Sequence, residues 1–392
     1  MRSRSALVLL TALSGSALVG AAPARAAAAP DPFYSAPAGL GSYAPGQVVA
    51  SRTVSAWTFG GPWAVSAWQI SYRTNDSHDR AELGVTTLVV PTAPWSGGGL
   101  RPVVSVEAAE DSAGIQCAPS YQISGNSDGS DPAQAGSLLA AGVAVAVPDH
   151  EGPNGAFLAG PQEGHAVLDG IRAVRAFNHA GIGTGNRWAL DGYSGGANAV
   201  AWAAQLQPTY APELPLVGAA MGGTPADPAA IARALDGGPA SGLELAAAAS
   251  IAAEWPEAKI PDLLNEAGKA AFATIRTQCA TQTVPAFAFK KLTDYTTVPD
   301  PLSVPSVKAV LDLDTLGAAA PSTPVYDYHG LQDEIVPVAQ DDALVARWCA
   351  GGTQVQVVRD PGEHGSETVL RYPSVHQWLM DRFAGKAVTS DC

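Results

Sequence analysis

The chain has 392 residues, with 22 Lys and Arg against 36 Asp and Glu, for a formal net charge of −14. A surface this acidic repels nucleic-acid phosphates and anionic membranes, which removes both from the expected partners. The length suits one large core with an inserted subdomain, or two domains.

Residues 1–26 begin with Arg2 and Arg4, continue through a short apolar stretch at 6–18 and end on Ala24-Arg25-Ala26. A positive start, a short apolar centre and small residues before a cleavage point form a secretory signal peptide, too short to be a membrane anchor. Its removal takes three arginines and no acids, which lowers the net charge to about −17 and leaves about 365 residues. No later stretch has the roughly 18 unbroken apolar residues of a spanning helix. The expected product is secreted and extracellular, with no integral membrane segment. Four cysteines remain, Cys117, Cys279, Cys349 and Cys392. An even number in an exported chain implies two disulfides, for which the sequence allows three pairings. No C-x-x-C pair, H-E-x-x-H or EF-hand loop is present, so no metal is expected.

Residues 27–50 are rich in Ala, Pro and Gly and read as an extended leader wrapped on the domain. From about Trp68 the segment WQISYRT alternates, turn residues follow at 75–79, and LGVTTLVVP resumes, which predicts a hairpin. Asn75-Asp-Ser77 within it matches a glycosylation sequon by pattern. Short apolar runs follow at 102–108, 142–149, 187–194, 215–223, 324–330 and 353–360, several nearly continuous, as expected for strands buried on both faces. Helical patterns sit between them. PAQAGSLLAAG precedes the 142 run, EGHAVLDGIRAVRAFNHAG precedes the 187 run and GGANAVAWAAQLQ follows it. DDALVARWCAG precedes the 353 run, and YPSVHQWLMDRFAG closes the chain.

This alternation predicts an α/β fold with a mostly parallel central sheet and helices on both faces. From 225 to 313 helix follows helix with no clear strand, which predicts a helical cap insertion. The expected organisation is a signal peptide at 1–26, a first core part at 27–224, the cap at 225–313 and a second core part at 314–392.

Gly192-Tyr193-Ser194-Gly195-Gly196 follows the strand pattern RWALD and runs into the helical ANAVAWAAQL. G-x-S-x-G in a strand–turn–helix context is a nucleophile elbow, the mark of an α/β-hydrolase fold. Gly192 and Gly196 remove side chains that would collide across so sharp a turn, and Gly195 offers a backbone N–H to an oxyanion. A serine hydroxyl needs a base, and in this fold the acid and then the histidine follow the serine in the chain. His329, His364 and His376 lie beyond the helical stretch. His364 stands in a turn directly after the last apolar strand, where a base must stand. His329, inside a strand, and His376, inside a helix, read as packed or solvated.

Asp327, Asp333 and Glu334 are the candidate acids. Asp333 lies in the loop after its strand and is the expected partner of His364, whereas Asp327, within the strand, reads as structural. Asp111, in the loop after the 102–108 strand, is a candidate second oxyanion donor through its backbone N–H or a protonated side chain. Chemistry alone does not separate that role from a turn acid. Gly181-x-Gly183-x-Gly185 precedes a strand and reads as a plain turn, not a dinucleotide site.

The elbow and its surroundings resemble the secretory lipase family typified by a yeast lipase A. DPFY (31–34), EDSAGIQCAPSYQ (110–122), VPDHEGPNGAFLAG (147–160), ALDGYSGGANAVAWA (189–203), YAPELPLVGAAMGGTP (210–225) and DEIVPV (333–338) carry the resemblance, which covers almost the whole mature chain. It implies Ser194, Asp333 and His364 as a catalytic triad, and Asp111 with the Gly195 N–H as the oxyanion hole. It implies disulfides Cys117–Cys279 and Cys349–Cys392, and a helical insertion that forms an acyl-binding tunnel. The expected activity is ester hydrolysis without a cofactor, on lipid or small-molecule esters, with contact at a lipid interface. Triacylglycerol lipase and shorter-chain carboxylesterase are the leading readings. Acyltransferase, serine peptidase and an inactive lipid-binding protein are the rivals. This chain ends at Cys392, where the yeast enzyme continues into a flap over the active site, so a more open site is expected.

Overall fold

The computed structural model describes residues 31–56, 64–124 and 134–392. The signal peptide expected at 1–26 and residues 27–30 of the leader lie outside the described residues. The strands are β1 (Val48–Val54), β2 (Val65–Asn75), β3 (Ala81–Pro91), β4 (Val103–Glu107), β5 (Ala144–Pro148), β6 (Trp188–Tyr193), β7 (Leu216–Gly222), β8 (Val325–Gly330) and β9 (Val355–Asp360). They form one sheet in the order β1-β2-β3-β5-β4-β6-β7-β8-β9. β1, β2, β3 and β5 pair antiparallel. The pairs from β5 through β4 to β9 are all parallel.

β1 is a departure from the leader expected at 27–50, because its first residues pair with β2 instead of wrapping the domain. It is an edge strand with Ser51, Thr53 and part of the backbone open to solvent. One partner strand and one covered face do not demand a run of apolar residues, so its sequence signal is weak.

The helices are α1 (Pro119–Ile123), α2 (Gln134–Ala140), α3 (Gly160–Phe177), α4 (Gly195–Tyr210), α5 (Pro228–Leu235), α6 (Ser241–Glu254), α7 (Ile260–Leu263), α8 (Glu266–Ile275), α9 (Ala280–Ala286), α10 (Leu292–Tyr295), α11 (Pro305–Leu313), α12 (Val338–Ala350) and α13 (His364–Phe383). Successive side chains of a strand point to opposite faces. Val103 and Leu190 join Leu168, Ile171, Val200, Leu344 and Trp348 of α3, α4 and α12 in one core. Their neighbours Val104 and Ala189 join Leu138, Val375, Trp378 and Leu379 of α2 and α13 in the other. The central strands are therefore buried on both sides, which is why they are apolar nearly throughout.

α5 to α11 all fall between β7 and β8, and their apolar clusters, around Leu245 and Ile275 and around Trp255 and Val310, also take in Phe157 and Leu158, and Ala156 and Ala159, from the segment before α3. Cys117, ahead of α1, is bridged to Cys279 at the start of α9, and Cys349 of α12 is bridged to Cys392. Asn75 of the sequon is buried in β2, with Nδ2 at 3.3 Å from the Tyr210 hydroxyl, so this acceptor faces inward.

α13 starts well before the 372 position suggested by sequence. Pro373, the second residue of that predicted helix, lies well inside α13. The Glu363 carboxylate caps the helix by accepting the amides of Gly365 at 3.0 Å and Ser366 at 2.8 Å. That cap satisfies donors that a helix start leaves open. His364 is thereby the first residue of a helix, and not part of a free turn.

The Cys117–Cys279 bridge closes a loop with a sequence separation of 162. A double substitution, Cys117→Ser with Cys279→Ser, should lower unfolding stability by roughly 4–5 kcal/mol on the loop-entropy model. The guanidinium midpoint of the variant against the oxidised parent measures it; equal midpoints would show that the bridge adds nothing.

Candidate functional site

Four loops leave the carboxyl ends of parallel strands at one edge of the sheet, the edge where open α/β sheets hold their ligands. β4 leads to Asp111, β6 to Ser194, β8 to Asp333 and β9 to His364. Ser194 stands at φ 57° and ψ −124°, a conformation that L side chains rarely adopt. Its amide donates to the Gly222 carbonyl at 2.8 Å. The turn is so sharp that a Cβ on Gly192 would come 2.5 Å from the Gly196 carbonyl oxygen. A Cβ on Gly196 would run into the Glu107 carbonyl oxygen beneath it. Both contacts are with backbone, which cannot swing aside, so glycine is the residue the turn accepts.

Ser194 is 9% exposed. Its Oγ lies 2.9 Å from His364 Nε2. His364 Nδ1 lies 2.7 Å from Asp333 Oδ2. With Nδ1–H donating to the carboxylate, Nε2 is left to accept the serine proton. The Asp333 carboxylate is itself held from several sides. Oδ1 accepts the amides of Ile335 at 3.0 Å and Val336 at 2.7 Å. Burial would raise this acid, but the bonds from His329, His364 and the Val336 amide outweigh it and hold the carboxyl well below the usual range.

His329 is a contact the sequence reading passed over. Its Nε2 lies 2.8 Å from the Val336 carbonyl and 3.2 Å from Asp333 Oδ2, while Nδ1 lies 2.9 Å from Asp341 Oδ2. Burial opposes a charge there, but the carboxylates of Asp333 and Asp341 prevail and push the ring up to about 10. His329 therefore stands as an imidazolium behind Asp333. Asp327, the structural acid of the sequence reading, is 2.5 Å from Arg359 and has no contact with His364. His376 is half-buried on α13, away from these groups. Glu334 accepts the His364 amide at 3.2 Å. The signal for His329 was a lone polar ring in an otherwise buried strand, which sequence cannot distinguish from a packed one.

Asp111 stands at φ 48°. The amides of Asp111 and Ser112 both hold the Glu151 carboxylate, and the Asp111 side chain lies against Gly195. Its Oδ1 is buried, has no hydrogen-bond partner and would collide with a Cβ on Gly195. Burial pushes this carboxyl up to about 6, with the nearby His364 pulling the other way. Gly195 opens α4, so no carbonyl precedes its amide within the helix.

A cavity opens beside Ser194, Gly195 and Asp111. Its wall comes mostly from the inserted helices, with Ile231 and Leu235 of α5, Ile251 of α6 and Val307 of α11 among the lining. Among the described residues, Asp76, His78 and Glu254 bring ligand atoms within 4.8 Å of one another. Their carboxylates already serve the Arg80 guanidinium at 2.6 Å and the Ser77 amide at 2.7 Å, so the donors are taken. Among the described residues no helix is long and apolar enough to cross a membrane.

The model of the family described as secretory lipase matches residues 121–391. A Malassezia globosa protein named as a secreted triacylglycerol lipase is 35% identical over 389 residues, spanning 92% of this chain and 81% of its own. A Mycobacterium tuberculosis protein named as a probable inactive lipase is 35% identical over 371 residues, spanning 92% of this chain and 83% of its own. The X-ray structure of Candida antarctica lipase A matches with a TM-score of 0.86 at 31% identity, covering 92% of this chain and 87% of that one. With an α/β-hydrolase sheet, a serine on its elbow and these relatives, the chain belongs to the secretory lipase family.

Proposed function

We propose that the protein is an extracellular serine ester hydrolase, a triacylglycerol lipase or a closely related carboxylesterase. The observation that carries this reading is the bonded line from Ser194 Oγ through His364 to Asp333, placed at the mouth of an apolar cavity. His364 Nε2 takes the hydroxyl proton as Oγ attacks the ester carbonyl carbon. The negative oxygen that forms is met by the Gly195 N–H and by Asp111. His364 then passes the proton to the leaving alcohol as the C–O bond breaks, and an acyl-enzyme remains. Water attacks that ester by the same route in reverse and releases the acid. Asp333 stays ionised and supports the imidazolium that forms at each step. The chain's own residues complete this cycle without a cofactor.

The cavity would take the acyl chain, and lipid esters are the partners that suit its apolar wall. The helices of 225–313 act as a cap in this reading, and the segment 1–26 as the export signal. Two disulfides and the secreted relatives support a place outside the cytoplasm. A peptidase would need polar subsites along a peptide backbone, which an apolar cavity does not supply. A catalytically inactive lipid binder has one relative in its favour, so labelling of Ser194 is the decisive test.

A fluorophosphonate probe should label the protein at Ser194. Ser194→Ala should remain folded, lose the label and lose nitrophenyl ester hydrolysis; a variant that keeps most of its activity would overturn the assignment. Asp333→Asn should reduce kcat by several orders of magnitude, roughly 10⁴-fold. Asp327→Asn should leave turnover largely intact and act on stability through Arg359. The reverse ranking, read from the two rate constants, would transfer the acid's role to Asp327.

Asp111 supplies a pH test. Its carboxyl is neutral and able to donate below about 6 and is an anion beside Ser194 above that. Asp111→Asn keeps a donor at every pH and suits the positive φ. The ratio of parental to Asp111→Asn kcat/KM should therefore fall as pH rises through about 6. Asp111→Ala should cost about 10²–10³ in kcat. A pH-independent ratio together with an unaffected Ala variant would remove the side chain from the oxyanion site.

A further inference from the structure

The cavity beside Ser194 contains one polar side chain that ester cleavage does not use. Among its lining residues, Asp111, Ser194 and Glu244 are the ones with polar side chains. Glu244 lies in the first turns of α6. It shares the cavity-facing stripe of that helix with Ala247, Ala248 and Ile251, at spacings of three, four and seven residues. That stripe position would ordinarily hold an apolar residue. Glu244 is 4% exposed, and neither of its carboxyl oxygens has a hydrogen-bond partner.

Unpaired buried carboxyl oxygens are costly, and such groups ordinarily find a partner. Among the described residues no side chain or amide answers Glu244, whose oxygens are buried from water, and the space that its side chain lines is the cavity. Burial first, and then the negative charge of Asp236, push the carboxyl up to about 9. At neutral pH it therefore carries its proton. A protonated carboxyl offers one O–H to donate and a carbonyl oxygen to accept. Its chemical complement is a neutral group that also donates and accepts, which a hydroxyl does and a methylene does not. A cationic amine would have to shed its hydration to reach the same place.

We propose that Glu244 is a specificity-determining residue that binds a hydroxyl on the substrate's acyl chain, so that the enzyme prefers esters of hydroxylated fatty acids to esters of plain alkanoic acids. The proposal rests on the reading of the cavity as the acyl site of an ester hydrolase. It adds to that reading the chemical class of the chain and the residue that selects it. A site built to bond a polar substituent discriminates against the analogue lacking it, because the site's own group is then left unpaired.

The test compares nitrophenyl alkanoates of one chain length, unsubstituted or with a hydroxyl moved along the chain, on the parent, Glu244→Leu and Glu244→Gln. In the parent, kcat/KM should peak at one hydroxyl position, about tenfold or more above the plain ester, the scale of one hydrogen bond made in a buried site. Glu244→Leu should lose the peak, its kcat/KM ratio of hydroxylated to plain ester falling to about one at every hydroxyl position. Glu244→Gln, neutral and able both to donate and to accept, should retain part of the peak.

A hydroxyl preference that survives in Glu244→Leu, or its absence from the parent, overturns the proposal. A stronger preference for an amino-substituted chain also overturns it, since that would mean an ionised Glu244. If the parent cleaves no ester in the series, the failure belongs to the ester-hydrolase reading. A loss confined to the hydroxylated substrates in Glu244→Leu belongs to Glu244 alone and supports the proposal. Thermal unfolding of Glu244→Leu at or above the parental temperature certifies that the altered selectivity is not loss of fold.

Discussion

The hydrogen bond of 2.9 Å between Ser194 Oγ and His364 Nε2 joins groups separated by 170 residues of chain, and the site stands or falls with it. It requires two strand ends to arrive at one edge of the sheet in the right order. β6 and β9 are separated there by β7 and β8, so the histidine has to reach back over two strand ends. The cap supplied by Glu363 helps set where that reach begins, because it places His364 as the first residue of α13. The Tyr193 hydroxyl donates to the His364 carbonyl at 2.6 Å and ties the histidine's backbone to the strand that carries the serine. Geometry of this kind tolerates little looseness, and rigid elements on both sides hold it.

Behind this bond is a chain of buried charges that runs away from the cavity. Asp333 meets His329, His329 meets Asp341, and Asp341 meets Arg359, which also binds Asp327 at 2.5 Å and Asp342 at 2.9 Å. Buried charges are costly alone and tolerable when each finds an opposite partner. Acids and cations alternate along this line, and Asp333 is thereby fixed on the side away from His364. The arrangement supports a stable carboxylate beneath the His364 imidazole.

The other half of the site is built from acids that burial keeps protonated or poised near neutrality. Asp111 is pushed up to about 6 and Glu244 to about 9. Asp333 goes the opposite way because donors surround it, whereas Asp111 and Glu244 are buried along the apolar cavity. The same carboxyl chemistry is thus held as an anion behind the histidine and pushed toward its neutral form beside the serine. The difference lies in what the surroundings offer, not in the residue type.

Much of this was legible in the sequence. The buried strands and the long helical stretch after β7 appear as local periodicity, since a strand covered on both faces and a helix with one apolar stripe each leave their period in the chain. Ser194 was marked by glycines whose need is local, because the turn brings backbone against backbone within a few residues. The edge strand β1 and the start of α13 were not legible, the first because one face is exposed and the second because Pro373 masks that start. His329 and Glu244 left no local mark either: each is a polar residue in a buried pattern, and its meaning comes from groups distant in the chain. The sequence by itself determined the order of elements, the elbow and the small set of acids and histidines available to it. Only the tertiary structure decided which of them meet, since contacts across the sheet and with the inserted helices depend on long-range packing that no local period records.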